Sequence, residues 1–309
     1  MINDKEQEIE KLTDEQEKEL ALSKYINPLT DFGFKYLFGA KESMIDFLNS
    51  VLNIKGGIVS VTYDNTERIP HSEDERKAYF DLHCVTGTGE HVIIEMQNHS
   101  QKFFRDRTLY YAAFEIEKQS QKGGDWSFEL YPVISLNILN FIMTDDNLTE
   151  SKPKQRKLAK SKGKYVSYIQ LIDKDTKEVF SEKLAFVFLE LPPFNKSENE
   201  LQTGMDKWMF VLKNLVLLND LPDALRNDVF ERVFLMAEIA ALSPEKRKEY
   251  YKSLKSYRDM NNIVGQKEQK IVELTKKNAE LTKENAAYKR EIAELRRHIG
   301  SNSGQINHY

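Results

Sequence analysis

At 309 residues, with 40% hydrophobic and 11% aromatic side chains, the chain can build one medium domain with an appendage or two small domains, which excludes a short stapled scaffold. A formal net charge of −4 excludes a uniformly basic nucleic-acid binder, so any phosphate contact must come from local basic patches. Charged residues make up 30%, so part of the chain is expected as an exposed helix or tail, and the single cysteine, Cys84, excludes an intrachain disulfide and a cysteine-rich zinc site.

The first 22 residues are almost entirely charged or polar and read as a solvated N-terminal arm that can be helical. They hold no apolar signal core, and no later stretch reaches the length of a membrane span, so a cytoplasmic protein is expected. The folded part opens at Asn27-Pro28-Leu29-Thr30-Asp31. Thr30 or Asp31 can cap a helix carrying Phe34, Leu37 and Phe38 on one side. A second helix places Met44, Ile45, Phe47, Leu48 and Leu52 at helical spacing and ends at Gly56-Gly57.

Three strands are expected next. Ile58–Tyr63 alternates β-branched and polar residues, and 78–85 pairs with 91–97 as a hairpin around the turn Thr86-Gly87-Thr88-Gly89. A long helix then runs from about Phe103 to Lys122 and stops at Gly123-Gly124. Leu130–Leu139 (LYPVISLNIL) is apolar enough for a central buried strand. The lysine-rich segment 152–164 reads as a loop, and the part of it around Arg156 either touches DNA or is a solvated linker. Strands at Tyr165–Ile172 and Leu184–Leu191 and helices at Met205–Leu218 and Pro222–Leu242 complete a folded region of 23–257, with a core at 26–140 and an extension at 165–257.

From Met260 a heptad appears. One core position takes Val264, Ile271, Asn278, Asn285, Ile292 and Ile299; the other takes Met260, Lys267, Leu274, Leu281, Tyr288 and Leu295. A coiled coil over 258–299 is expected, then a patternless tail at 300–309. Asn278 and Asn285 at successive core positions favour a parallel, in-register homodimer, because a buried Asn amide pairs best with its own counterpart. A single helix folding back on the globular part would use the same stripe.

The constellation that carries chemistry lies on the hairpin. Side chains alternate along a strand, so Glu95 and Gln97 share a face while Val92, Ile94 and Met96 take the other. Asp81 on the preceding strand lies opposite to Leu82 and Cys84, so two carboxylates converge above a sheet whose far side is apolar. Phosphodiester hydrolysis needs such a pair to hold a hard divalent cation, with Gln97 placed to orient a water or touch the phosphate and the carbonyl of Met96 as an extra ligand. The polar face of an ordinary amphipathic hairpin has the same pattern. Against that, Glu95 interrupts a strongly apolar strand (VIIEM), and the next helix presents Arg107, Tyr110, Tyr111 and Lys118, groups suited to a phosphate backbone. His71, His83, His91 and His99 surround the hairpin without His-x-x-x-His spacing and read as framework residues.

Asp81 with Glu95-x-Gln97 resembles the PD-(D/E)XK nuclease signature. The chain is most similar to the recombination-promoting nuclease/transposase family over roughly Asn27 to Leu139. The similarity runs through the string Asn27-Pro-Leu-Thr-Asp-Phe-Gly-Phe-Lys-Tyr-Leu-Phe-Gly39, the Ile45–Asn49 helix, the two carboxylate strands, Arg107-x-x-Tyr110-Tyr111, Gln119 and Gly123. The resemblance implies an α/β, restriction-endonuclease-like mixed sheet flanked by helices and Mg²⁺-dependent DNA cleavage in recombination or transposition, with Mn²⁺ as the alternative ion. It also implies that Asp81 and Glu95 hold metal with Asp31 near it, that Gln97 stands where a catalytic lysine is usual, and that Lys35, Arg107, Tyr110, Tyr111 and Gln119 serve DNA binding. Two departures stand out: Gln97 is neutral, and residue 80 is Phe rather than Pro. Gln97 therefore keeps open a second reading, a weak or inactive nuclease fold that binds DNA or protein. A pure coiled-coil interaction protein would account only for the C-terminal part.

Overall fold

The computed structural model describes residues 11–64, 81–120, 127–143 and 164–303. The chain divides into two compact units, Met1–Leu254 and Lys255–Tyr309. In the first, helices α1 (Asp14–Leu20), α2 (Asp31–Phe38) and α3 (Lys41–Val51) precede strands β1 (Val61–Tyr63), β2 (Leu82–Thr86) and β3 (His91–Gln97). Helix α4 (Phe104–Lys118), strands β4 (Val133–Leu139), β5 (Val166–Ile172) and β6 (Val179–Glu190), and helices α5 (Gly204–Asn214) and α6 (Asp228–Ala237) follow. Helix α7 (Pro244–Ser303) starts in the first unit and forms the second.

The strands form one mixed sheet in the order β1-β2-β3-β4-β6-β5, with β3, β4 and β6 parallel and antiparallel strands at both edges. β4 is buried along its whole length, as its unbroken apolar run predicts. On the far face, Cys84, Val92, Ile94, Leu136, Ile138, Val187 and Leu189 are buried. That face is covered by α2 and α3, because two far-face tyrosines reach their carbonyls: Tyr63 Oη donates to Phe38 O, and Tyr168 Oη donates to Val51 O at 2.9 Å. Phe38, Phe47, Trp208 and Phe230 pack edge and tilt among α2, α3, α5 and α6. On the near face, α4 lays Phe104, Ala112 and Phe114 over Ile93, Val133, Leu139, Phe186 and Phe188.

The opening string is a hydrogen-bonded knot. Thr30 Oγ1 accepts from the N–H of Gly33 at 3.0 Å and donates to Asn27 O at 2.8 Å, while Asn27 Oδ1 accepts from the N–H of Leu29 at 2.9 Å. Gly33 is required here, since a Cβ would collide with the carbonyl oxygen of Asn27. Asn98 Nδ2 donates to Leu29 O at 2.7 Å, which docks the start of α2 beside the end of β3.

Several boundaries differ from the sequence expectation. β1 begins at Val61, because the polar backbone groups of Ile58 are taken by the Asn49 side chain, at 2.7 and 2.8 Å. The expected helix Pro222–Leu242 is broken into 3₁₀ turns around α6. Asn227 caps α6, and its end is fixed by a bridge between Tyr25 and Glu238. That bridge is a long-range contact with no local sequence signal. α4 starts at Phe104, after Phe103 adopts a left-handed φ of 60°. β6 starts five residues earlier than expected, in an exposed hairpin with β5. Residues 14–20 of the expected arm are helical behind a Thr13–Gln16 capping box, with Leu20 buried and Glu17 3.2 Å from Arg247. Phe80, His71, Gly123, the lysine-rich 152–163 segment and the end of the tail lie outside the described residues.

In the second unit, Ile271, Leu274, Leu281, Ile292 and Leu295 are all exposed on the single chain. No helix among the described residues is long and apolar enough to cross a membrane.

Candidate active site

Continuing the β2–β3 register one step beyond Leu82↔Ile94 sets Asp81 directly opposite Glu95 on the near face. Glu95 is enclosed and Asp81 is partly so. Glu95 is 4% exposed, and Asp81 Oδ2 accepts from the N–H of Met96 at 2.6 Å. Glu95 Oε2 accepts from Gln97 Nε2 at 2.8 Å and lies 3.5 Å from Arg107 Nη2 of α4. The Arg107 guanidinium rests over the rings of Phe104 and Tyr111, at 5.8 and 5.5 Å, and its Nη1 donates to Gln101 at 2.6 Å.

Burial, and then the neighbouring charge of Asp81, pushes the Glu95 carboxyl up to about 8, against the opposing pull of Arg107 and Gln97. Burial likewise raises Asp81, against the Met96 amide and the charges of Lys35 and Arg107, and the Asp31 charge adds to the rise. These interactions place the start of α2 within electrostatic reach of the pair. Asp31 and Lys35 form an exposed ion pair with each other at 2.7 Å.

The donor set suits a hard cation. Glu95 Oε1 is buried and accepts no hydrogen bond from the described residues. Asn137 is the register partner of Glu95 on β4, fully buried, with an Oδ1 in the same condition, while its Nδ2 donates to Ser135. Two carboxylates whose neutral form burial favours, and an uncommitted amide oxygen on the strand next to Glu95, are oxygen donors of the kind a hard divalent cation takes. Sequence reasoning missed Asn137, because an amide inside LYPVISLNIL reads as an interruption of a buried strand. The cross-strand register with Glu95 is what gives it meaning.

The remaining expected site residues are dispersed. Tyr111 lies beside Arg107, whereas Tyr110 is half-exposed and packs edge-on against Phe114. Gln119 sits at the other end of α4, where its amide bonds both backbone groups of Tyr131, at 2.7 and 3.2 Å.

A family model described as PD-(D/E)XK nuclease family transposase matches residues 28–267. The chain belongs to that family. No curated protein and no solved structure matches it. The mixed sheet, its flanking helices and the carboxylate hairpin agree with the restriction-endonuclease-like fold of PD-(D/E)XK proteins.

Two of the histidines expected as framework residues join a second cluster. His83 and His91 meet Glu115 of α4 on the same near face: His83 Nε2 is 3.3 Å and His91 Nδ1 is 3.5 Å from Glu115 Oε2. Burial lowers the His83 pKa, and Glu115, though burial pushes it up, is held low by the hydrogen bond from His91 and by the charges of His83 and Lys118. No local spacing announces the cluster, because its three members come from two strands and a helix. Cys84 is buried on the far face, where burial pushes its thiol up to about 12 and leaves it inert.

Proposed function

We propose that the chain is a Mg²⁺-dependent DNA endonuclease that hydrolyses phosphodiester bonds in recombination or transposition, working in the cytoplasm. The observation that carries this reading is the Asp81–Glu95 pair, with Glu95 buried and its Oε1 uncommitted among the described residues, in a chain of the PD-(D/E)XK family. Asp81 and Glu95 would hold the ion, with Asn137, the register partner of Glu95, as a further oxygen donor and the Asp31 charge within reach. Bound Mg²⁺, or Mn²⁺ in its place, supplies Lewis-acid polarisation of the phosphoryl group and a water of lowered pKa. Gln97, held on Glu95, orients the attacking water through its amide. Arg107, fixed over two rings, balances charge on the scissile phosphate. Lys35 exchanges Asp31 for a neighbouring phosphate, Tyr110 and Tyr111 line the DNA approach, and Gln119 orders the segment leading into β4.

The exposed heptad stripe pairs two chains as a parallel coiled coil, bringing two nuclease sites to one DNA molecule. A neutral Gln97 favours a second reading, a weakly active or inactive nuclease fold that binds DNA or protein. Plasmid nicking with Mg²⁺ separates the two. Cleavage by the wild-type chain is expected to be lost with chelator and in Asp81→Ala and Glu95→Ala. Cleavage that survives either substitution refutes the proposed site, and a folded wild-type chain that binds DNA without cutting supports the second reading.

A further inference from the structure

We propose that His83, His91 and Glu115 form a Zn²⁺ site, separate from the carboxylate pair, that fastens α4 to the β2–β3 hairpin. One ligand atom from each of the three residues lies within 4.8 Å of the other two. With zinc bonds of about 2.0–2.1 Å, ligands at the corners of a tetrahedron stand about 3.3–3.4 Å apart. Two of the three separations here, 3.3 Å and 3.5 Å, already match. The third closes by rotation of the two imidazoles, whose rings are stacked with centroids 5.7 Å apart.

The surroundings are those of a metal-bound histidine. Asp64 Oδ2 lies 3.5 Å from His83 Nδ1, the carboxylate-behind-imidazole arrangement that fixes a ligating ring and its tautomer. Among the described residues, Lys118 is the cation that contacts the cluster. Its Nζ is 2.7 Å from Asp64 and 3.6 Å from Glu115, and the half-exposed side chain can swing to solvent when an ion enters. His83 and Glu115 are enclosed while His91 is partly exposed, so a water completes the coordination from the His91 edge.

The donor chemistry separates this site from the carboxylate pair. Two imidazoles and one carboxylate select a borderline-soft ion such as Zn²⁺ over Mg²⁺, which prefers oxygen throughout. His83 is two residues from Asp81 along the strand, about 7 Å. Glu115 is two helical turns from Arg107, about 12 Å. An ion here therefore holds the helix that carries the guanidinium without occupying the hydrolytic centre.

The test uses the full chain, stripped by chelator and dialysed against Zn²⁺ in excess Mg²⁺, with bound zinc measured by mass spectrometry. One zinc per chain is expected, with affinity reduced at least about 100-fold in His91→Asn and Glu115→Gln and about 10–100-fold in Asp64→Ala. Glu95→Gln is expected to bind zinc as wild type does. Circular dichroism reports whether each variant is folded. For the wild type alone, bound Co²⁺ should give intense visible bands of four- or five-coordinate geometry without a thiolate charge-transfer band. Any one of four results overturns the site: no zinc on the folded wild type, unchanged zinc in His91→Asn and Glu115→Gln, loss of zinc in Glu95→Gln, or a pale octahedral Co²⁺ spectrum.

Discussion

Replacing Glu95 by Gln removes a buried charge while keeping the size of the side chain, and the consequence for stability has a definite sign. In the folded, metal-free chain the Glu95 carboxyl titrates near 8 rather than at its ordinary 4.5. The folded state holds this proton more tightly than the unfolded state. The stabilising contribution is therefore fully present below about pH 4.5 and is lost as pH rises toward 8, at about 1.4 kcal/mol per pH unit. The full span sets a ceiling of about 5 kcal/mol; sharing of the proton with Asp81 and entry of water reduce it. In Glu95→Gln this slope disappears, so the variant gains on the wild type as pH rises and is the more stable protein near pH 8 in chelator. Mg²⁺ should reverse the order, because only the wild type offers the ion a second carboxylate. Urea denaturation from about pH 5 to about pH 8, with chelator and with Mg²⁺, measures all four curves. Parallel wild-type and variant curves in chelator would refute the claim that Glu95 is protonated by burial.

Gln97→Ala should lower cleavage about 100-fold, as loss of one positioned donor does, whereas Gln97→Lys should retain or raise it; equal rates in all three proteins make Gln97 a bystander. Thr30→Ala removes both the α2 cap and the bond to Asn27 O, and should cost about 1–2 kcal/mol in urea denaturation with loss of cleavage through displacement of Asp31 and Lys35. Sedimentation of the full chain should give a dimer, and Leu274→Glu with Leu281→Glu should give a monomer. A doubly substituted chain that remains dimeric moves the interface to the first unit.

Much of the near-face arrangement was legible because strand alternation is strictly two-residue. Asp81, Glu95 and Gln97 share a face in any hairpin that turns at Gly87–Gly89, and that turn forms as expected, with Gly89 at a φ of 99°. The Thr30 cap was legible for the same local reason. Asn137, the His83–His91–Glu115 cluster and the end of α6 were not. Each depends on which distant strand or helix becomes a neighbour, and the parallel β3–β4 pairing that brings Asn137 to Glu95 is separated in sequence by the whole of α4. The helix presenting Arg107 was recognised from its composition, but not the fact that its inner side delivers a buried carboxylate, Glu115, to two histidines.

The two faces of the sheet divide the work of folding and of chemistry. The far face is apolar from β2 to β6 and packed by Trp208 and several phenylalanines, so its burial supplies the driving force for folding. The near face buries Glu95, Asn137, Ser135 and Glu115 along the same strands and the helix that covers them. Each buried polar atom left without a partner costs about 1–3 kcal/mol, and Glu95 Oε1 and Asn137 Oδ1 both incur that cost among the described residues. An apolar pair of similar volume would remove the cost and stabilise the sheet. What such a pair removes as well is the two uncommitted buried oxygens that β3 and β4 offer to a cation. The destabilised arrangement and the proposed chemistry therefore rest on the same atoms, and an ion that binds only the folded chain offsets the first by enabling the second.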